Sequence, residues 1–395
     1  MKLPYHKKVT RTNQIKEAIS KKSISLKTIE SILGRLENIA TILRMFGNFL
    51  NNIRSLQIRS MRKKGHNVTL SRRAKEDLSL AIRFIDKAAL GISMNTLIFR
   101  KSTKLYVVDA CKHGLGGWAS HGRSWFFIIP KNLRDRAHIN LLEFLANVVA
   151  IWIDEFEDKL EPQDCILAGG DSTTAMGWLR RTNFREEDEN NKDWEVKQEV
   201  ARKLATIILN SESVLYRQWF LGNDNIVADS LSRDALFLSE DTHILFLKKF
   251  FIKQIPKNFH LKEVPKEICS FITSMLESLP ENKQRWKQPK PSEILLGEIG
   301  SPSYIKQVCK NINSWKDFLA SKGTSWSAHL LKRLEKHPSP QEIEENWWKN
   351  QSVPPSHMWL RPSGQTIGKT PDWTQMVKSA SSSKSNARGT KTQTT

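Results

Sequence analysis

The sequence predicts an α/β chain in which a mixed five-stranded sheet flanked by helices occupies residues 105–235, behind a helical module and ahead of a partly disordered C-terminal region. Three observations carry this prediction. From residue 105 the apolar patterns run as three strands, a helix, a strand, two helices, a strand and a helix, the order of a layered α/β structure. Charge changes sign at the same boundaries: residues 1–104 hold 23 basic and 6 acidic side chains, residues 105–235 sum to −6, and residues 236–395 to +10. From residue 282 periodicity fades into Pro, Ser, Lys and Trp mixtures, and SASSSKSNARGTKTQTT has no apolar residue beyond alanine, the composition of a disordered tail.

Residues 1–23 read as a basic extension, and residues 24–104 as a helical module. Leu26, Ile29, Leu33, Leu36, Ile39, Leu43, Phe46, Leu50 and Ile53 recur every three or four residues, the mark of a helix with one buried stripe. Arg35, Arg44 and Arg54 fall on its other face. A second helix opens at Ser71 as N-cap, runs through Ala74, Leu78, Ile82, Ile85 and Ala89, and stops at Gly91. Between them lies the basic loop SMRKKGHNVTLSRR. A solvated helical hairpin would satisfy this pattern, but the +17 excess on 104 residues favours a surface that contacts phosphate.

In the middle segment, Leu105–Val108 is a short buried strand, GLGG a turn, and GWAS and RSWFFIIP two more strands of a meander. INLLEFLANVVAIWIDEFE has helical period, and DCILAGGDS is a strand ending at a carboxylate. TTAMGWLRR and DWEVKQEVARKLATIILN are a short and a long helix, separated by the polar loop FREEDENNKD. VLYRQWFLG is the fifth strand, and NDNIVADSLSRDALFL opens the last helix. Residues 236–281, with ILFLKKFFIKQI and VPKEICSFITSMLESL, read as a helical extension, and residues 282–395 as the low-order tail.

The chain of 395 residues carries 39% hydrophobic and 26% charged residues, which excludes a mostly disordered protein and allows two or three domains. A net charge of +21 points to a polyanionic partner, nucleic acid ahead of anionic lipid. The opening lacks the apolar core of a secretory signal, and no run of about 18 uncharged apolar residues occurs, so no membrane partner is expected. Cys111, Cys165, Cys269 and Cys309 are isolated, without zinc spacing or a disulfide framework. An intracellular, reducing setting is the expectation, in cytoplasm or nucleus.

Four acids occupy positions that could converge. Asp109 ends the first strand, Glu143 lies on the following helix, Asp171 ends the fourth strand, and Asp229 begins the last helix. Single strand-end acids also cap turns. Here, however, Asp109 follows LYVV, Asp171 follows ILAGG, and Glu143 is flanked by Leu141, Leu142, Phe144 and Leu145, so each carboxylate borders a buried face, where it is expensive unless paired or metal-bound. Two Mg²⁺ ions ~3.5–4 Å apart would neutralise such a cluster, with Mn²⁺ able to substitute. One would activate water and the other stabilise the leaving oxygen of a phosphodiester.

The blocks YVVDACKHGLGGWA, INLLEFLA, GGDSTTAMGWL and GNDNIVADSLSR resemble, in order, the ribonuclease H domain of retroelement reverse transcriptases. The last block is closest to the ending of that domain in gypsy-type and DIRS-type retrotransposons. The likeness covers about residues 105–235. More weakly, ILGRLENIATILRMFGNFLNNI resembles the thumb or connection region that precedes the domain, which extends the likeness back to about residue 24. The resemblance implies a ribonuclease H-like fold and an endonuclease that hydrolyses the RNA strand of RNA–DNA hybrids with two metal ions. Asp109, Glu143, Asp171 and Asp229 are then the catalytic metal ligands. Asn140, Ser172, Thr173 and Asn225 stand beside them as substrate contacts, although Ser172 and Thr173 equally suit helix caps. RNA selectivity would come from reading 2′-hydroxyls through the minor groove.

Two departures from the family stand out. No Tyr-x-Asp-Asp and no Asp-Asp pair occurs, so the expectation is a fragment or one product of a split element, with a separate polymerase module as partner. The family often carries a histidine ten residues before its last aspartate, where this chain has Trp219. Hence the alternative expectation is a catalytically silent nucleic-acid-binding remnant, and a third is a polynucleotidyl transferase such as an integrase, against which VADSLSR argues. GQTIGKT near residue 367 is one residue short of a phosphate-binding loop and has no strand before it. His113, His121 and His138 lack zinc spacing and fit surface or turn roles. Trp347 and Trp348 could stack on bases or cap a small helical cluster.

Overall fold

A computed structural model of the chain describes residues 3–41, 43–62, 67–91, 100–181, 184, 193–281, 290–292, 295 and 339–350. The N-terminal module comprises α1 (Tyr5–Ser20), β1 (Ser23–Ile24), α2 (Leu26–Ala40), a 3-10 stretch Arg44–Leu50, α3 (Asn51–Arg62), β2 (Val68–Thr69) and α4 (Arg72–Leu90). The apolar stripe from Leu26 to Ile53 is therefore not one helix. It breaks after Ala40, and the 3-10 stretch with Gly47 at its centre, running straight into α3, still places Phe46, Phe49 and Leu50 in the same core. The second helix agrees with its sequence signals: Ser71 Oγ accepts from the Ala74 amide at 3.2 Å, and Gly91 at φ 122° ends it. β1 and β2 pair antiparallel and tie the α1–α2 connection to the α3–α4 connection.

Beyond it lie β3 (Lys104–Cys111), β4 (Gly114–Ala119), β5 (Arg123–Ile128), α5 (Ile139–Phe156), β6 (Cys165–Gly170), α6 (Thr173–Trp178), α7 (Asp193–Ser211), β7 (Val214–Trp219) and α8 (Ile226–Arg233). They are followed by α9 (Glu240–Phe250), β8 (His260–Leu261), α10 (Lys266–Glu277) and, further on, α11 (Pro340–Asn350). One sheet runs in the order β7-β6-β3-β4-β5-β8. Its centre, β3-β4-β5, is an antiparallel meander, while β6 and β7 add in parallel on one side and β8 in parallel to β5 on the other. The sixth strand, absent from the five expected, has no sequence signal: two residues are too short to show an alternating pattern, and β8 exists through its pairing with Arg123 and Ser124.

Alternation along β3 sends Tyr106 and Val108 to one face, against α5, α7 and α10, and Leu105 and Val107 to the other, against α8 and α9. Both layers draw on residues past 235: Ile268, Ile272 and Leu276 on the first face, and Phe246, Leu247, Phe251 and Phe259 on the second. The helical module joins through α7, whose Ala205 and Leu209 enter its core, while Gln198 Nε2 donates to the Asn48 carbonyl at 3.1 Å and Arg202 pairs with Asp77.

GLGG is strand rather than turn; the reversal falls at Lys112 and His113. A Cβ at Gly114 would meet the Ser232 carbonyl oxygen at 2.5 Å, and one at Gly116 would meet backbone of Leu231 and Ser232 at 2.5 Å. These glycines let α8, which carries Asp229, lie directly on β4. Most of the polar loop 184–193, nearly all of the 282–395 tail and GQTIGKT lie outside the described residues, as do the side chains of Trp347 and Trp348. Among the described residues, no helix is long and apolar enough to cross a membrane.

Candidate metal centre

The centre forms where β6 ends beside its parallel neighbour β3: the register Val107 opposite Gly169 brings Asp171, two residues on, level with Asp109. Asp109 lies near the end of β3, opposite Gly116, and Asp171 follows the last residue of β6 directly. Glu143 projects from the second turn of α5, which packs across β3. One carboxylate oxygen from each of Asp109, Glu143 and Asp171 lies within 4.8 Å of the others. The cluster can hold a metal ion.

Burial and mutual repulsion both raise the three carboxyls. Asp109 is 5% exposed, and burial, followed by the charges of Asp229 and Asp171, holds its carboxyl well above the usual range. Burial, then Asp171, pushes Glu143 up to about 7. Asp171 is raised too, by burial and then by Asp229. A divalent ion would offset the burial and mutual repulsion that raise these carboxyls. Asp171 Oδ1 is buried with no hydrogen-bond partner among the described residues, as expected of an atom left for a ligand. An all-carboxylate set suits hard ions such as Mg²⁺ or Mn²⁺.

Asp229 stands apart from the three. It sits on α8, near enough to raise Asp109 and Asp171, but its Oδ1 is engaged by Arg233 Nε one turn on. Burial of the guanidinium works against its charge, yet Asp229 and Asp109 hold Arg233 firmly protonated.

The four neighbouring polar residues divide by role. Ser172 caps α6, its Oγ accepting from the Ala175 amide at 3.2 Å, and lies 3.3 Å from Asn140 Oδ1, to which its hydroxyl donates. Asn140, on the first turn of α5, is thereby joined to the loop carrying Asp171. Thr173 opens α6 with its side chain exposed. Asn225 is 2% exposed, and its Nδ2 donates to the Val108 carbonyl at 2.8 Å, so it braces α8 against β3 rather than facing solvent. His138 proves to be the N-cap of α5, its Nδ1 accepting from the Asn140 amide at 3.3 Å.

Three contributors escaped sequence reasoning. Ser232 Oγ donates to Asp109 Oδ2 at 2.6 Å and orients that carboxylate. Arg233 restrains Asp229, and Asn147 Nδ2 donates to the Glu143 carbonyl at 2.8 Å from one turn along α5. Helical spacing of three or four residues from Asp229 and Glu143 was the available signal. Trp219, at the end of β7, donates its indole Nε1–H to the Asp171 carbonyl at 2.7 Å.

Compared with known proteins, the chain matches no family model and no curated protein. Among solved structures it is similar to a foamy viral protease–reverse transcriptase (dRH) in complex with double-stranded DNA, at 13% identity and a TM-score of 0.20 over 56% of this chain. The match spans 36% of the length of that protein.

Proposed function

We propose that the chain is a retroelement-derived endoribonuclease of ribonuclease H-like fold that hydrolyses the RNA strand of RNA–DNA hybrids. The observation that carries this reading is the convergence of Asp109, Glu143 and Asp171, three acids from three separate sequence blocks, into one group. A contiguous five-strand run, β7-β6-β3-β4-β5, with helices on both faces supports the fold it requires.

In this reading Asp109, Glu143, Asp171 and Asp229 are the catalytic acids and hold two Mg²⁺ ions. Bound there, the ions supply an activated water and charge neutralisation at the departing oxygen. The chain itself supplies position. Ser232 fixes the Asp109 carboxylate, Asn225 holds α8 on β3, and the Ser172–Asn140 bond sets the loop of Asp171. Arg233, paired with Asp229, would compete with a metal for that carboxylate. Asn140 and Thr173 border the path of the strand, and the basic N-terminal module contributes long-range attraction for phosphate.

The test is cleavage of an RNA–DNA hybrid by the full chain with Mg²⁺, against a metal-free control and against Asp171→Asn. The expected result is metal-dependent scission in the RNA strand, reduced at least ~100-fold in the variant with hybrid binding retained. An intact hybrid that the protein nonetheless binds would defeat the reading. The alternative, a silent binding remnant, is favoured by one observation, the capture of Asp229 by Arg233. It predicts that Asp171→Asn changes nothing measurable.

A further inference from the structure

Trp219 has no core role. It is 43% exposed, whereas Phe220 beside it turns inward over Gly169, where a Cβ would touch its ring at 2.7 Å. Leu221, two residues on, is also exposed, at 58%. An indole left in solvent normally samples several rotamers. This one is held, because its Nε1–H donates at 2.7 Å to the backbone carbonyl of Asp171, a member of the carboxylate cluster. A flat apolar ring is thus fixed at the rim of a site for phosphodiester chemistry, in a chain of net charge +21.

We propose that Trp219 is a nucleobase-stacking subsite, and that it selects for hybrids with an unpaired nucleotide beside the scissile phosphate. The inference rests on the function proposed above and names its substrate class more narrowly. The reason for an unpaired base is geometric. Inside a continuous duplex both faces of each base are already covered by neighbours, so an external ring can stack only where a strand frays, ends or leaves the duplex. Stacking is tolerant of sequence, so the preference is for structure rather than for a particular base. The indole N–H serves to aim the ring, which leaves both its faces without a role in the bond to Asp171.

The competing account is that Trp219 merely braces the Asp171 loop through its hydrogen bond. Two substitutions separate the accounts: Trp219→Phe keeps a stacking ring without the N–H, and Trp219→Leu keeps apolar bulk without the ring. The full chain is titrated, in EDTA so that no cleavage occurs, with a blunt RNA–DNA hybrid and with the same hybrid bearing a short single-stranded RNA extension that contains 2-aminopurine. The wild type is expected to prefer the extended hybrid and to change 2-aminopurine fluorescence on binding. Trp219→Phe should keep most of both effects. Trp219→Leu should lower the preference on the order of 5- to 150-fold and abolish the fluorescence change. Equal loss in Phe and Leu variants, full retention in the Leu variant, or no wild-type preference would overturn the proposal. Because the readout is binding without metal, a failed cleavage assay with an intact preference would strike the nuclease reading alone.

Discussion

Phe251→Ala asks whether the residues after 235 belong to the same cooperative unit as the carboxylates. Phe251 is 0% exposed and stands edge-on to Phe246, with ring centroids 5.9 Å apart and planes at 73°. It shares its cluster with Leu105 and Leu167 of the central strands and with Ile226 and Leu231 of α8. Truncating a buried Phe to Ala removes its transfer free energy and leaves a partly collapsed cavity, together worth ~3–5 kcal/mol. Against the ~5–15 kcal/mol that holds a typical domain folded, that is a large fraction. Urea unfolding followed by circular dichroism should show one transition with a lower midpoint and an unchanged slope. Leu90→Ala, at a side chain 83% exposed, serves as the control and should stay within about 0.5 kcal/mol of wild type. A loss below ~1 kcal/mol, or a separate early transition for the variant, would refute the argument and make residues 236–281 an appendage.

The remaining predictions concern pH and salt. Burial pushes the His243 imidazole down to about 3, so the folded state excludes a proton that the unfolded chain accepts near pH 6.5. Its stabilising contribution is complete above that pH and is lost as pH falls towards 3, so between pH 7 and pH 5 the wild type should lose ~2 kcal/mol more than His243→Gln; equal losses in urea titrations would refute this. The groove of about 700 Å³ between the N-terminal module and α7 is lined by Arg72, Lys75 and Arg83 of α4 and Arg202 of α7, with Glu76 among them. If it follows a phosphate backbone, Lys75→Gln with Arg83→Gln should flatten the salt slope of hybrid binding by up to about 1.8, and an unchanged slope would remove the groove from the interface.

Sequence made some elements legible and hid others for identifiable reasons. The second helix of the module was readable to the residue because its ends are chemical: a serine that accepts an amide hydrogen bond and a glycine that takes positive φ. The preceding stripe misled, since a 3-10 stretch preserves inward spacing while changing direction, and spacing alone cannot report the change. GLGG was ambiguous by composition. Glycine permits a turn and also permits close approach, and only the position of α8, set by contacts more than 100 residues away in sequence, decides between them.

The same distinction governs the site. Asp109, Glu143 and Asp171 could be picked out because each is a carboxylate beside apolar neighbours, an arrangement that needs a compensating partner wherever the chain goes. What the sequence could not supply is how far each reaches. Asp229 has the same character and lies close enough to shift its neighbours, yet Arg233, four residues along the same helix, competes for its oxygen. An i,i+4 pair on a surface contributes little, but here the guanidinium is drawn by Asp109 as well, an attraction from a separate strand that spacing along one helix does not disclose.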